Sequence, residues 1–176
     1  MKTLNKIRSV LSKITGVANI ITYIGISVMI LITVLNVILR YVFNAPISGS
    51  MEIGEYSLLV AVFASFSHGQ MVKSHVAVTA LLVKFPRRLK YIVFTILNLL
   101  GTVVVTAASI AAGQQASIAG ARGYITSILE MKTAPFLWAE CVLLALFALV
   151  VLYDTVCSCF AIFDDDMAQE ISKDWL

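Results

Sequence analysis

The residues able to carry chemistry are few and sit among apolar neighbours. Glu140 stands just inside an apolar run opened by Pro135, about 7–8 Å along the helix that the run implies. Ionisable groups within a membrane are costly and often functional, and a proton- or cation-coupled carrier could use such a carboxylate. The plainer reading puts Glu140 at the outer interface, paired with Arg122 or Lys132, or facing a partner subunit. Glu52 and Glu55 are three apart and share one helix face. Paired carboxylates can exchange protons, but two acids also suit the positive end of a helix. With no nucleophile or metal ligand near them, they read as structural or interface groups, and an ion pair from Arg40 to Glu52 or Glu55 is expected to pin the intervening loop against the bundle. His68 and His75, seven apart, stack along one face and cannot supply opposite ligands to a single haem, so no cofactor is expected. Asn98, Thr102, Thr106 and Ser109 form a polar stripe, as do Asn19, Tyr23 and Ser27. Such stripes, with the small pair Ala108 and Ala112, suit helix–helix contact within the bundle or against another membrane protein. Nucleotide-binding, metalloprotease and serine-hydrolase motifs are absent, and no enzyme is expected. Cys141, Cys157 and Cys159 form neither a disulfide framework nor a zinc spacing and read as small apolar residues.

The elements that must position these residues follow from composition. The chain has 176 residues, of which 60% are hydrophobic and 13% charged, and a mean hydropathy of +0.93. So few charges cannot cover so much apolar surface in water. A soluble enzyme, a disordered chain and a disulfide scaffold are excluded, and the net charge of +3 gives no sign of nucleic-acid binding. The expected fold is an all-α membrane protein: one domain, residues 1–176, with four transmembrane helices and short interfacial helices. The spans are placed at about 16–39, 56–72, 91–112 and 135–156, each near the 20 apolar residues a bilayer requires. The first apolar run is too long for a signal peptide and is read as an uncleaved span. Gly113, Gln114 and Gln115 mark the expected surface crossing after span three. Residues 48–55 are expected to begin the helix that holds Glu52 and Glu55, and residues 75–85 to form an interfacial helix ending at Pro86. An acidic tail covers 160–176. With both termini cytoplasmic, the inner segments carry ten basic residues and the outer segments three, Arg40, Arg122 and Lys132. The positive-inside rule therefore favours that orientation.

Span one ends in Asn36, then Arg40-Tyr41, Phe43-Asn44-Ala45 and Pro46. Glu52 and Glu55 lead into span two, His75-Val76-Ala77-Val78 follows it, and then Phe85-Pro86-Arg87-Arg88. Over about residues 15–155 this order and spacing resembles the small membrane subunit (DctQ/SiaQ-like) of tripartite ATP-independent periplasmic (TRAP) transporters. His68-Gly69 within span two and the long acidic tail depart from the usual pattern. The resemblance implies a large multi-span permease subunit as partner, which moves substrate and sodium, and a periplasmic substrate-binding protein that delivers an organic acid. It also implies a bacterial or archaeal cytoplasmic membrane, and a scaffolding role without catalytic residues. The structural and interface candidates are Arg40, Asn44, Pro46, Glu52, Glu55, His75, Asn98, Thr102 and Glu140, with membrane lipids as further contacts. Two other classes stand beside this one: an autonomous four-helix carrier using Glu140, and a membrane anchor of a redox complex.

Overall fold

Long runs of Ile, Leu, Val and Ala, with the prolines confined to positions 46, 86 and 135, leave nothing to interrupt a helix once it has started. The computed structural model describes residues 2–72 and 87–163. Within them lie four helices: α1 Lys2–Val42, α2 Ser50–Met71, α3 Arg87–Arg122 and α4 Ala134–Phe163. The helices run past the expected spans, because the polar residues that flank each apolar run are themselves good helix formers. At 41 residues, α1 is about 60 Å long, twice the thickness of a bilayer core. Helix α3 does not stop at Gly113 but continues to Arg122. The expected interfacial helix at 75–85, with His75, and the acidic tail from 164 lie outside the described residues.

Three of these helices contain stretches long and apolar enough to cross a membrane: Lys6–Val42, Ile92–Arg122 and Ala134–Ile162. Helix α2, with 22 residues, is about 33 Å long, but it carries Glu52, Glu55 and His68 and holds no stretch as continuously apolar as those three.

The helices pack as two hairpins, α1 with α2 and α3 with α4, joined along α2 and α4. The lateral order is thus α1, α2, α4, α3. Tyr56 stacks on Phe136 with ring centroids 4.2 Å apart, and Phe66 meets Phe147 at 5.6 Å. Further along, the Gln70 amide donates to the Asp154 carboxylate at 2.7 Å. These contacts rise in step along both chains, so α2 and α4 run parallel.

Packing is inverted relative to a water-soluble protein. The buried side chains are mainly small: Ala18, Ala61, Ala64, Ala112, Ala116 and Ala119. Large apolar side chains point outward, among them Leu31 (61% exposed) and Val104 (65% exposed). In water such faces would be a large unsatisfied apolar surface, whereas lipid tails solvate them. Small residues let the backbones approach, and a few hydroxyls then bridge the helices. The Thr22 hydroxyl donates to the Ala61 carbonyl at 3.2 Å, and the Ser109 hydroxyl to the Cys141 carbonyl at 3.1 Å.

Helix α1 comes close to the α2 backbone at Gly25. A Cβ there would lie 2.9 Å from the Ser57 carbonyl oxygen, a backbone atom that cannot swing aside. Gly25→Val should therefore destabilise the α1–α2 hairpin by about 1–3 kcal/mol through overpacking. Gly54→Ala, where a Cβ meets nothing within 4 Å, is the control. Thermal unfolding in detergent should show a lower midpoint for Gly25→Val alone. Equal midpoints for the two variants would contradict this packing.

Candidate functional site

The first turn of α2 and the α3–α4 connection come together at one end of the bundle. Helix α1 ends at Val42, and the Phe43 and Ala45 amides both donate back to the Leu39 carbonyl, at 3.2 and 3.0 Å. Asn44 takes the left-handed conformation (φ 52°), which asparagine tolerates better than most residues. Pro46 follows, with no amide hydrogen to satisfy. The Ile47 amide then donates to the Asn36 side-chain oxygen at 2.9 Å, tying the turn back onto α1. Arg40 lies in the last turn of α1, where a cation meets the negative end of the helix.

The connection from α3 to α4 is a short hairpin-like loop. Ile125 and Lys132 form an antiparallel bridge, the Thr126 amide donates to the Met131 carbonyl at 2.9 Å, and the Thr133 amide to the Tyr124 carbonyl at 3.0 Å. The loop tip presents two free amides, and Glu52 takes both. The Ile128 N–H donates to Glu52 Oε1 at 2.8 Å and the Leu129 N–H to Oε2 at 2.9 Å. One carboxylate thus clasps the loop with both oxygens.

Gly49 makes room for this clasp. It precedes α2 with φ 77°, and a Cβ there would collide with the Leu129 side chain. A glycine is required at that position for its backbone conformation and for the contact alike. One turn below, the Tyr56–Phe136 stack continues the junction.

The other sequence candidates are placed differently. Both Glu52 oxygens engage loop amides, so Glu52 is held by the loop and not by Arg40. Glu55 is exposed, as are Arg40, Asn44 and Pro46. In α3 the polar stripe divides. Thr102 Oγ1 lies 3.3 Å from Thr155 Oγ1 of α4, and Ser109 reaches Cys141, while Thr106 faces outward. Asn98 is half-buried and its carbonyl accepts from Thr102 at 2.8 Å. In α1, Asn19 and Tyr23 bond to each other at 3.3 Å and Ser27 is exposed, whereas Thr15 and Thr22, on the next face round, are buried. Arg122 donates to the Tyr124 hydroxyl at 3.0 Å and does not reach Glu140. Among the described residues no charged group or hydrogen-bond donor acts on Glu140. No three of His, Cys, Asp and Glu gather at metal-binding distance among the described residues.

Sequence reasoning missed three features. Asn36 belongs to the quoted motif, but its side chain's reach to residue 47 shows only when the turn is folded. Gly49 had no signal beyond its place before a helix. The Gln70–Asp154 bond joins residues 84 apart, and no local pattern announces it.

Glu52 lies ahead of the apolar run that begins at residue 56. Partial desolvation alone would raise its pKa. The Ile128 and Leu129 amides bonded to it, with the Thr126 hydroxyl and the Ser127 amide nearby, outweigh this and hold it below the ordinary carboxylate value. A depressed folded-state pKa contributes stability that is present above the unfolded value and lost as pH falls through the folded one. Hydrogen exchange at Ile128 and Leu129, corrected for its intrinsic pH dependence, should lose protection as pH drops below the normal glutamate range. Glu52→Gln should be flat with pH and less protected at neutrality. Protection that is independent of pH in the unsubstituted chain would contradict the clasp.

The family model described as "Tripartite ATP-independent periplasmic transporters, DctQ component" matches residues 29–160, well over half of the chain. Neither a curated protein nor a solved structure matches it. The matched region contains the Asn36 turn, the Glu52 clasp and the α3–α4 loop, and the chain belongs to the family of DctQ components of tripartite ATP-independent periplasmic transporters.

Proposed function

We propose that this chain is the small membrane subunit that scaffolds the large permease subunit of a TRAP transporter, and that it moves no substrate itself. The observation carrying this reading is the clasp: Glu52 is engaged through both carboxylate oxygens in fixing one loop to one helix. A group that must release and rebind a proton or ion would not be held by backbone amides on both oxygens. The outward-facing apolar surfaces of α1 and α3 suit a membrane environment.

In this reading all four helices cross, α2 included, because 22 helical residues suffice for a bilayer core. Both termini are cytoplasmic, in keeping with the ten basic residues assigned to that side. The clasped loop then faces the periplasm of a bacterial or archaeal cell. There a soluble binding protein would deliver an organic acid to the permease, and sodium would drive uptake. The substrate would be selected by those partners.

Reconstitution in proteoliposomes tests the division of labour. Sodium-driven uptake should require this chain, the large permease and the binding protein together. Sodium-driven uptake by this chain alone would contradict the proposal.

A further inference from the structure

One groove in the bundle breaks the pattern of small side chains inside and large ones outside. Helices α2 and α3 both pack on α4 and not extensively on each other, leaving a channel over α4 between them. A cavity of about 420 Å³ lies in it, lined by Phe63 of α2, by Ala108, Ala111 and Gln115 of α3, and by Glu140 and Leu144 of α4. Elsewhere α3 turns Val103, Val104 and Ile110 outward, as a helix against lipid does. At the groove it turns Ala108 and Ala111 outward instead. Outward small residues lower the surface just where another helix backbone could come close.

Glu140 makes lipid an unsuitable occupant. It is the seventh residue of α4, about 9 Å along an apolar helix, and half-buried in the wall of the groove. It has no cation or hydrogen-bond donor among the described residues. Acyl chains cannot satisfy a carboxylate at this depth, whereas a cationic side chain brought in by a neighbouring helix can. The Gln115 carboxamide of α3 lines the same cavity and offers a second polar contact to an occupant.

We propose that this groove seats a membrane-spanning helix of the large permease subunit, one that carries an arginine or lysine level with Glu140. The inference rests on the partnership proposed above and specifies the surface and the charge that make it. Small side chains on α3 admit the helix, Phe63 and Leu144 bound it, and Glu140 fixes its depth and rotation.

The test uses the full complex in native membranes, with this chain tagged. Ala111 is replaced by benzoylphenylalanine, a photo-crosslinking residue, and Leu31, on the outward face of α1, is replaced likewise as a control. Recovery of the permease with the tagged chain is measured first. Illumination should then join position 111, and not position 31, to a permease helix with a basic residue within one turn of the adduct. Glu140→Gln should lower recovery of the permease by about tenfold, the cost of losing a charged hydrogen bond. If the permease is recovered but position 111 yields adducts only with lipid or a second copy of this chain, or none, the groove assignment fails and the partnership stands. Undiminished recovery with Glu140→Gln would overturn the charge assignment. If no permease is recovered with the unsubstituted chain, the partnership fails and the groove proposal with it.

Discussion

A single carboxylate holding two backbone amides is the constraint on which the arrangement of this bundle turns. The two helical hairpins are covalently separate over most of their length, and they meet along one seam, between α2 and α4. Glu52 fastens the end of that seam where both hairpins turn. From there the Tyr56–Phe136 stack, the Phe66–Phe147 contact and the Gln70–Asp154 bond follow in order. Glu52 and Gln70 are about 27 Å apart along α2, so polar anchors sit near both ends and aromatic contacts lie between them. Anchors at the ends resist both twisting and sliding of one hairpin over the other, which apolar packing alone allows in a membrane.

That rigidity has consequences for what the chain can do. Between membrane helices there is little hydrophobic driving force, since lipid tails are as apolar as leucine. Association relies on close backbone approach and on polar groups that find partners. The buried alanines, Gly25 and the bridging hydroxyls of Thr22 and Ser109 supply these within the bundle. Glu140 and the outward alanines of α3 offer the same kind of contact to something outside it. Among the described residues the four helices are continuous, without the breaks from which many carriers build a site at mid-membrane.

Much of the architecture was legible because hydropathy and helix length are local properties. The apolar runs place the helices, and the acids that precede the second run fall in the opening turns of α2, Glu52 in the first and Glu55 in the next. What each acid does was not legible. An ion pair with Arg40 was the natural expectation from charge alone, yet backbone amides 76 and 77 residues away serve Glu52 instead. Those amides belong to a short loop of mixed polar and apolar residues that shows no periodicity. The α1 stripe failed for a related reason. Asn19, Tyr23 and Ser27 share a face, but α2 packs on the neighbouring face of Ala18, Thr22 and Gly25, where Gly25 admits the α2 backbone and the Thr22 hydroxyl reaches the Ala61 carbonyl. A stripe of polar residues alone did not reveal which face that would be. For Glu140 the sequence offered pairing with Arg122 or Lys132 or contact with a partner subunit. The fold leaves the first option unused, because Arg122 turns to Tyr124.

The central claim, that the Glu52 carboxylate locks the two hairpins into one body, can be read as a distance distribution. Spin labels at the exposed positions 51 and 125, one on each hairpin, report the junction directly. Pulsed electron–electron resonance should give one narrow distance in the unsubstituted bundle and a broad, longer distribution when Glu52 is replaced by alanine. The same narrow distance with and without the Glu52 carboxylate would contradict the account.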